Sequence, residues 1–243
     1  MRKLLFAALA IIACSGSRAE DSQSSYNTTA DFTFTTQYFF RGVKNQDAAF
    51  QPSVTYNKGA FSAGVWSSQA LRQRSEQWAN GREYDAFANY SISITEKYSV
   101  TLGGTYYAYP SARPSFDEPR DSYEASLAVE APIGPLNSKF SVFRDFALKA
   151  NTVQADIGYA LDIHEAAIEF GAYCGQSRIA DSNGSLPGND RFDYEYVGVD
   201  VTVSKSLSKH TTVKIGGHWT DTSGDQPSPS NKCSATLSIV WSF

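Results

Sequence analysis

The sequence predicts an all-β fold: a transmembrane, antiparallel, up-and-down β-barrel of about twelve strands. Three observations predict it. Apolar and polar residues alternate with a period of two from residue 29 to the end. The connections between alternating runs are by turns short and long. The last run ends on an aromatic residue, Phe243.

The averages alone point elsewhere. The chain has 243 residues, 42% hydrophobic, 19% charged and 14% aromatic, and its mean hydropathy is −0.34. After the first 13 residues no stretch approaches the ~18–20 uninterrupted apolar residues of a membrane helix. Fifteen Phe, 14 Tyr and 4 Trp are too many for a solvated coil. With 21 basic and 25 acidic residues there is no basic footprint for nucleic acid.

The alternation resolves into twelve runs: 29–41, 48–57, 60–68, 83–94, 98–109, 121–130, 137–145, 149–161, 166–175, 193–203, 211–220 and 233–243. In the first, Ala30, Phe32, Phe34, Thr36, Tyr38 and Phe40 share one parity, against Asp31, Thr33, Thr35, Gln37 and Arg41. A period of two is a strand with unlike faces. The eighth run sets Val153, Ala155, Ile157, Tyr159 and Leu161 against Thr152, Gln154, Asp156 and Gly158. The last sets Cys233, Ala235, Leu237, Ile239, Trp241 and Phe243 against Ser234, Thr236, Ser238, Val240 and Ser242. Charges within runs fall almost entirely on the polar parity, which is rich in Ser, Thr and Gly. A lipid-facing Arg or Lys near the midplane costs ~2–4 kcal/mol, so their absence from one face has a cause.

Connections after even-numbered runs are mostly short, as in Lys58-Gly59 and Thr95-Glu96-Lys97; those after odd-numbered runs are mostly longer, as in 69–82, 110–120, 176–192 and 221–232. Outer-membrane barrels segregate periplasmic turns and outer loops in this way. Tyr56, Tyr90, Tyr98, Tyr159 and Trp241 then fall at the periplasmic end, and Tyr38, Phe40 and Trp219 at the outer end. These are two aromatic girdles at headgroup level.

The N-terminus reads as an export signal. Arg2 and Lys3 precede an apolar run from Leu4 to Ala13, followed by Ser17-Arg18-Ala19, a small-x-small cleavage site. Residues 1–19 are expected to be a signal peptide, 20–28 a periplasmic segment and 29–243 the barrel. Cleavage leaves 18 basic against 25 acidic residues, a net charge of −7. Ile11-Ile12-Ala13-Cys14 also has the form of a lipobox, in which Cys14 would be lipidated. The other cysteines, Cys174 and Cys233, form no C-x-x-C pair; a single bridge stays open, but two unpaired small hydrophobes is the favoured reading.

Trp241-Ser242-Phe243 resembles the C-terminal signal by which bacterial assembly machinery recognises outer-membrane barrels. A narrower resemblance starts at Gln37-Tyr38-Phe39-Phe40-Arg41-Gly42-Val43, followed by Gln46-Asp47, Gln51 and Phe61-Ser62-Ala63-Gly64-Val65-Trp66-Ser67-Ser68. Together with Glu83-Tyr84-Asp85, Tyr106-Tyr107-Ala108-Tyr109-Pro110 and Tyr123-Glu124, it is similar to the TorF family of porin-type proteins over roughly residues 37–125. Val43-Lys44-Asn45 and Pro52 depart from that family's pattern. The resemblance implies an outer-membrane channel and supplies no substrate.

A twelve-stranded barrel has a backbone radius on the order of 12 Å, about half of it taken by side chains. What remains admits ions and small polar solutes unless a loop folds in, and 69–82 and 176–192 are long enough to do so. Pore-lining charges are expected near the outer end at Glu83, Asp85, Glu124 and Asp145, facing a basic wall of Arg41, His218 and, lower, Lys214. Asp31, Glu130, Asp156, Glu169 and Asp200 outnumber Lys139 in the remaining lumen. A transverse field and weak cation selectivity follow. The competing reading is that these charges pair with neighbours and brace or plug a structural or adhesive barrel acting through its outer loops.

No enzyme is expected. Of three histidines, His164 and His210 lie in turns and His218 points into the lumen, with no Ser-His pair on the lipid face. No cluster has metal-ligand spacing, and no cofactor is expected. The expected partners are outer-membrane lipid, the barrel-assembly machinery, and ions or small polar solutes.

Overall fold

Strands with one apolar and one polar face satisfy their backbone groups without an edge only by closing on themselves. The computed structural model describes residues 26–71, 81–110, 121–180, 191–225, 229 and 231–243. The segment expected to be a signal peptide, Cys14 and the middles of the long loops lie outside these residues. The wall consists of β1 (Tyr26–Thr35), β4 (Ala49–Lys58), β5 (Phe61–Ala70), β6 (Arg82–Ser93), β7 (Ser99–Ala108), β8 (Asp121–Ile133), β9 (Leu136–Asp145), β10 (Ala150–Ile163), β11 (Ala166–Ala180), β12 (Arg191–Ser206), β13 (Thr211–Gly224) and β14 (Cys233–Ser242). A separate pair, β2 (Tyr38–Phe40) and β3 (Val43–Gln46), lies between β1 and β4.

The twelve wall strands form a closed antiparallel barrel in sequence order, sealed by β1 against β14. Thr29 to Thr35 pair with Ser242 to Thr236 across that seam. β1 begins at Tyr26, inside the segment expected to precede the barrel. Among the described residues no helix is long and apolar enough to cross a membrane; the strands are the crossing elements.

Exposure follows parity. In β14, Leu237, Ile239 and Trp241 are exposed while Ser238 is buried; in β10, Val153, Ile157, Tyr159 and Leu161 are exposed while Thr152 is buried. The apolar face points out and the polar face in, the reverse of a soluble barrel. Tyr56, Tyr90, Tyr98, Tyr159, Trp241 and Phe243 stand exposed near the end of the barrel that carries the short turns, and Trp219 stands on the outer face toward the loop end. Cys174 and Cys233 are both free and exposed; two strands separate β11 from β14.

The first run does not continue to residue 41. The β1 ladder ends at Thr35, and the chain turns into the barrel as a hairpin before rejoining the wall at Ala49. Phe40 pairs with Val43 around a two-residue turn, Arg41-Gly42, with φ of 46° and 79°. Positive φ at both central residues is the type I′ geometry whose twist matches paired strands. Tyr38 and Phe40, expected in the outer girdle, are each only 5% exposed and belong to the interior. The alternation of Thr36, Tyr38 and Phe40 continues past Thr35, where the backbone has already left the wall.

Candidate functional site

The hairpin spanning residues 36–48 determines what the lumen is. It leaves the wall between β1 and β4, yet its tip reaches strands across the barrel. A Cβ on Gly42 would lie 2.5 Å from Thr222 Cγ2 on β13 and 2.6 Å from Tyr196 Cβ on β12. Only glycine fits there, on grounds of both packing and φ. On the other side of the tip, Arg41 donates two hydrogen bonds to Glu124 on β8, Nη1 to Oε2 at 2.8 Å and Nη2 to Oε1 at 2.9 Å. Its guanidinium carbon lies 4.2 Å from the ring centre of Phe143 on β9 and 4.6 Å from that of Phe40. A planar fork suits this double engagement of a carboxylate and an aromatic face.

Further contacts seat the hairpin along its length. Ser68 Oγ on β5 donates to Gln46 Oε1 at 2.6 Å, and Gln37 Nε2 donates to the Cys233 carbonyl at 2.8 Å. The Tyr38 ring packs 5.5 Å from that of Trp66. Tyr38, Phe40 and Val43 join Tyr107, Tyr109, Ala150, Ile179, Tyr194 and Tyr196 in one buried cluster, so the loop end of the interior has an apolar core.

Four carboxylates lie within this end of the barrel. Glu83 and Asp85 on β6 are 2% and 5% exposed, and Glu124 and Asp145 are equally buried. Tyr107 OH donates to Glu124 Oε1 at 3.1 Å and Tyr109 OH to Glu83 Oε1 at 3.3 Å. Asp145 Oδ1 accepts from Ser122 Oγ at 2.6 Å and from the Leu148 amide at 2.7 Å. Asp85 Oδ1 is buried without a hydrogen-bond partner. Arg41 is the one buried base among the described residues. Burial works against its charge, but Glu124 more than offsets this and holds its pKa above the ordinary arginine value. Burial, reinforced by Glu83 and Asp85, pushes the Tyr38 phenol well up.

The basic wall expected opposite these acids does not form at the loop end. Arg41 sits on the hairpin, not on a wall strand, and has crossed to the acidic side. His218 on β13 faces inward but is hydrogen-bonded through Nδ1 to Asp200, its register partner on β12. Its Nε2 lies 3.3 Å from Tyr173 OH, which donates to Thr220 Oγ1 at 3.1 Å. The segment that folds in is 36–48; of the two loops expected to be able to do so, 72–80 and 181–190 lie outside the described residues.

Below the hairpin the interior is half-exposed and polar. Glu130, Lys139 and Asp156 form one cross-strand row over β8, β9 and β10, an acid on each side of the lysine. Gln154 Nε2 donates to Asp156 Oδ1 at 2.7 Å, and Tyr196 OH donates to Gln154 Oε1 at 2.7 Å. Glu169 and Lys214 also face inward on β11 and β13, both partly exposed. No group of three or more His, Cys, Asp or Glu among the described residues has the geometry to hold a metal ion.

A closed barrel with an apolar exterior, a polar lower lumen and an inward hairpin defines a porin-like transmembrane β-barrel. The chain belongs to the Gcw_chp family, described as bacterial proteins of unknown function, whose family model matches residues 19–242. A comparison with curated proteins found no match. Among solved structures, the chain is similar to the KdgM porin in complex with disordered oligogalacturonate, at 12% identity and TM-score 0.58, covering 88% of this chain and 99% of that one. It is also similar to the NanC porin, at 11% identity and TM-score 0.54, covering 87% and 98%. LpxR from Salmonella typhimurium matches at 10% identity and TM-score 0.50, covering 88% and 99%. At these identities the likeness is one of fold.

Proposed function

We propose that this protein is an outer-membrane channel for ions and small polar solutes, weakly cation-selective and narrowed by the hairpin 36–48. The observation that carries the reading is the uneven charge of a polar interior. Glu83, Asp85, Glu124 and Asp145 share the narrow end with a single buried base, Arg41, which pairs with Glu124, and acids flank Lys139 below it. An interior short of positive charge draws cations into the lumen. The fold likeness to the two porins supports a channel, and the TorF-like residues 37–68 lie largely in the hairpin and the strands that receive it. In this reading the mature chain, freed of its signal peptide, sits among outer-membrane lipids after recognition through Phe243, and carries out no chemistry. His218 belongs to the wall network with Asp200 and Tyr173.

A second reading is favoured by the aromatic cluster. Tyr38, Phe40, Tyr107, Tyr109, Tyr194 and Tyr196 fill the loop end tightly, as a plug would. Planar-bilayer recordings of the refolded protein in a salt gradient separate the two. Discrete openings with a cation-directed reversal potential are expected of the channel. Silence in the intact protein, with conductance appearing only after residues 37–46 are replaced by a short linker, would establish the plugged barrel instead.

A further inference from the structure

Outside the barrel, at its loop end, β9, β10 and β11 break the rule that outward positions are apolar. Arg144 on β9 and Arg178 on β11 both take the outward parity and are both register partners of Asn151 on β10. Adjacent strands lie ~4.8 Å apart, which sets the two arginine backbones about 10 Å from each other. Lys149 stands exposed in the tight turn between β9 and β10, at φ 51°. Arg144 Nη1 donates to the Lys149 carbonyl and to Asn151 Oδ1, both at 3.1 Å. These bonds hold the guanidinium in place and leave Nη2 and Nε with no partner among the described residues. Arg178 Nε is 3.7 Å from Asp193 Oδ2, a long contact, and half of its side chain is exposed.

The rest of the rim differs. Outward positions at the loop end elsewhere are mixed or acidic: Arg82 on β6, Asp121 on β8, Asp193 and Glu195 on β12, and Asp221 on β13 paired with Lys232. The outward faces of β9, β10 and β11 carry no carboxylate at all. Beneath the basic row lie exposed apolar residues, Val142 and Val153, and Phe146 in the same turn is 59% exposed. A cationic row above an apolar band is complementary to an amphiphile with a phosphate head and acyl tails.

We propose that Arg144, Lys149 and Arg178 form a binding site for the phosphate headgroup of a membrane lipid in the leaflet at the loop end. The two arginines embrace the phosphate from the strands on either side of β10, Lys149 closes the site from above, and the tails run down over Val142 and Val153. This is independent of whether the lumen conducts.

Native mass spectrometry of the full refolded protein in a neutral maltoside detergent tests it, with diphosphoryl lipid A as the probe and its dephosphorylated form as the control. One retained diphosphoryl lipid is expected on the intact protein and none of the dephosphorylated form. Arg178→Gln, which touches no turn contact, should weaken retention about tenfold, the value of one charge-assisted interaction. Arg144→Gln/Arg178→Gln should abolish it, whereas Lys205→Gln at the opposite end of β12 should leave it unchanged. Equal retention by the arginine variants and the intact protein would overturn the site. Complete displacement of the lipid by millimolar inorganic phosphate would overturn its assignment to a lipid, leaving a free-anion site.

Discussion

The two halves of the lumen share one wall and differ in what fills it. At the loop end the inward side chains are Glu83, Asp85, Tyr107, Glu124, Tyr194 and Tyr196, all buried because the hairpin lies against them. At the short-turn end the same strands present Asn89, Thr101, Glu130 and Thr202, none of them buried. The alternation is identical, so the contrast comes from one inserted hairpin and not from the wall. A charge in the upper half is desolvated and must be matched by a specific partner; a charge in the lower half keeps its water and acts mainly through the field. Substitutions should therefore have large effects above and small ones below.

Arg41→Ala is expected to have the largest effect. It strips Glu124 of its bidentate partner and leaves four buried carboxylates without a buried base. Removing one member of a buried pair costs about 3–5 kcal/mol. The loss falls on hairpin docking, because the twelve-strand ladder does not involve Arg41. Amide hydrogen exchange should speed up by two orders of magnitude or more, roughly, in residues 38–46 and stay unchanged in β8–β14. Single-channel conductance should rise with it. Equal acceleration in the wall strands would mean that the hairpin and the barrel form one cooperative unit.

Gly42→Ala tests the opposite side of the same tip. The new methyl group would meet Thr222 and Tyr196 at 2.5 and 2.6 Å, at a φ of 79°. Overpacking and positive φ together cost about 2–4 kcal/mol. The same amides should exchange faster, by somewhat less than in Arg41→Ala. An unchanged exchange profile would show that the tip does not bear on β12 and β13.

Much of the wall was legible in the sequence, and the hairpin was not. Runs such as Cys233 to Phe243 carry their parity unbroken, and a strand with two unlike faces leaves few alternatives. Strand ends were placed within a few residues because turns such as Lys58-Gly59 announce themselves. The first run misleads because a period of two reads the same whether the backbone continues along the wall or turns inward after Thr35. The signal was present in two adjacent aromatics, Phe39 and Phe40, which spoil the alternation, and in Arg41-Gly42, a dipeptide that a two-residue hairpin turn accommodates. The acids Glu83, Asp85, Glu124 and Asp145 were placed together at the outer end from parity alone. The position of Arg41 among them depends on a reach across the barrel, which no local pattern encodes. The outward arginines leave no trace in the composition, because averages conceal a basic row confined to three strands.

Asp85→Asn is expected to act in the opposite direction to the first two substitutions. Asp85 Oδ1 is buried and unpaired, and Glu83 lies on the same inward face of the same strand. The amide carries no charge to repel Glu83 and adds an N–H donor beside the acids, where a buried group left unsatisfied costs about 1–3 kcal/mol in general. Hairpin amides should exchange more slowly than in the intact protein. Cation preference should fall, with the reversal potential in a salt gradient moving toward zero. Faster exchange would mean that the carboxylate is satisfied by water in the seat.

Lys214→Gln in the lower lumen should have the smallest effect, and its smallness tests the comparison. Lys214 faces inward on β13 where the side chains remain partly exposed, so its charge is screened and its loss costs about 0–1 kcal/mol. Hairpin exchange should not change. Removing a base from an acidic lumen should nonetheless raise cation preference slightly at low salt, and the increment should vanish as the Debye length falls to about 3 Å near 1 M salt. The effect of Asp85→Asn, set in a region closed to solvent, should persist at that salt. If both effects faded together, the upper lumen would be as wet as the lower, and the hairpin would be a loose flap in the pore and not a fixed constriction.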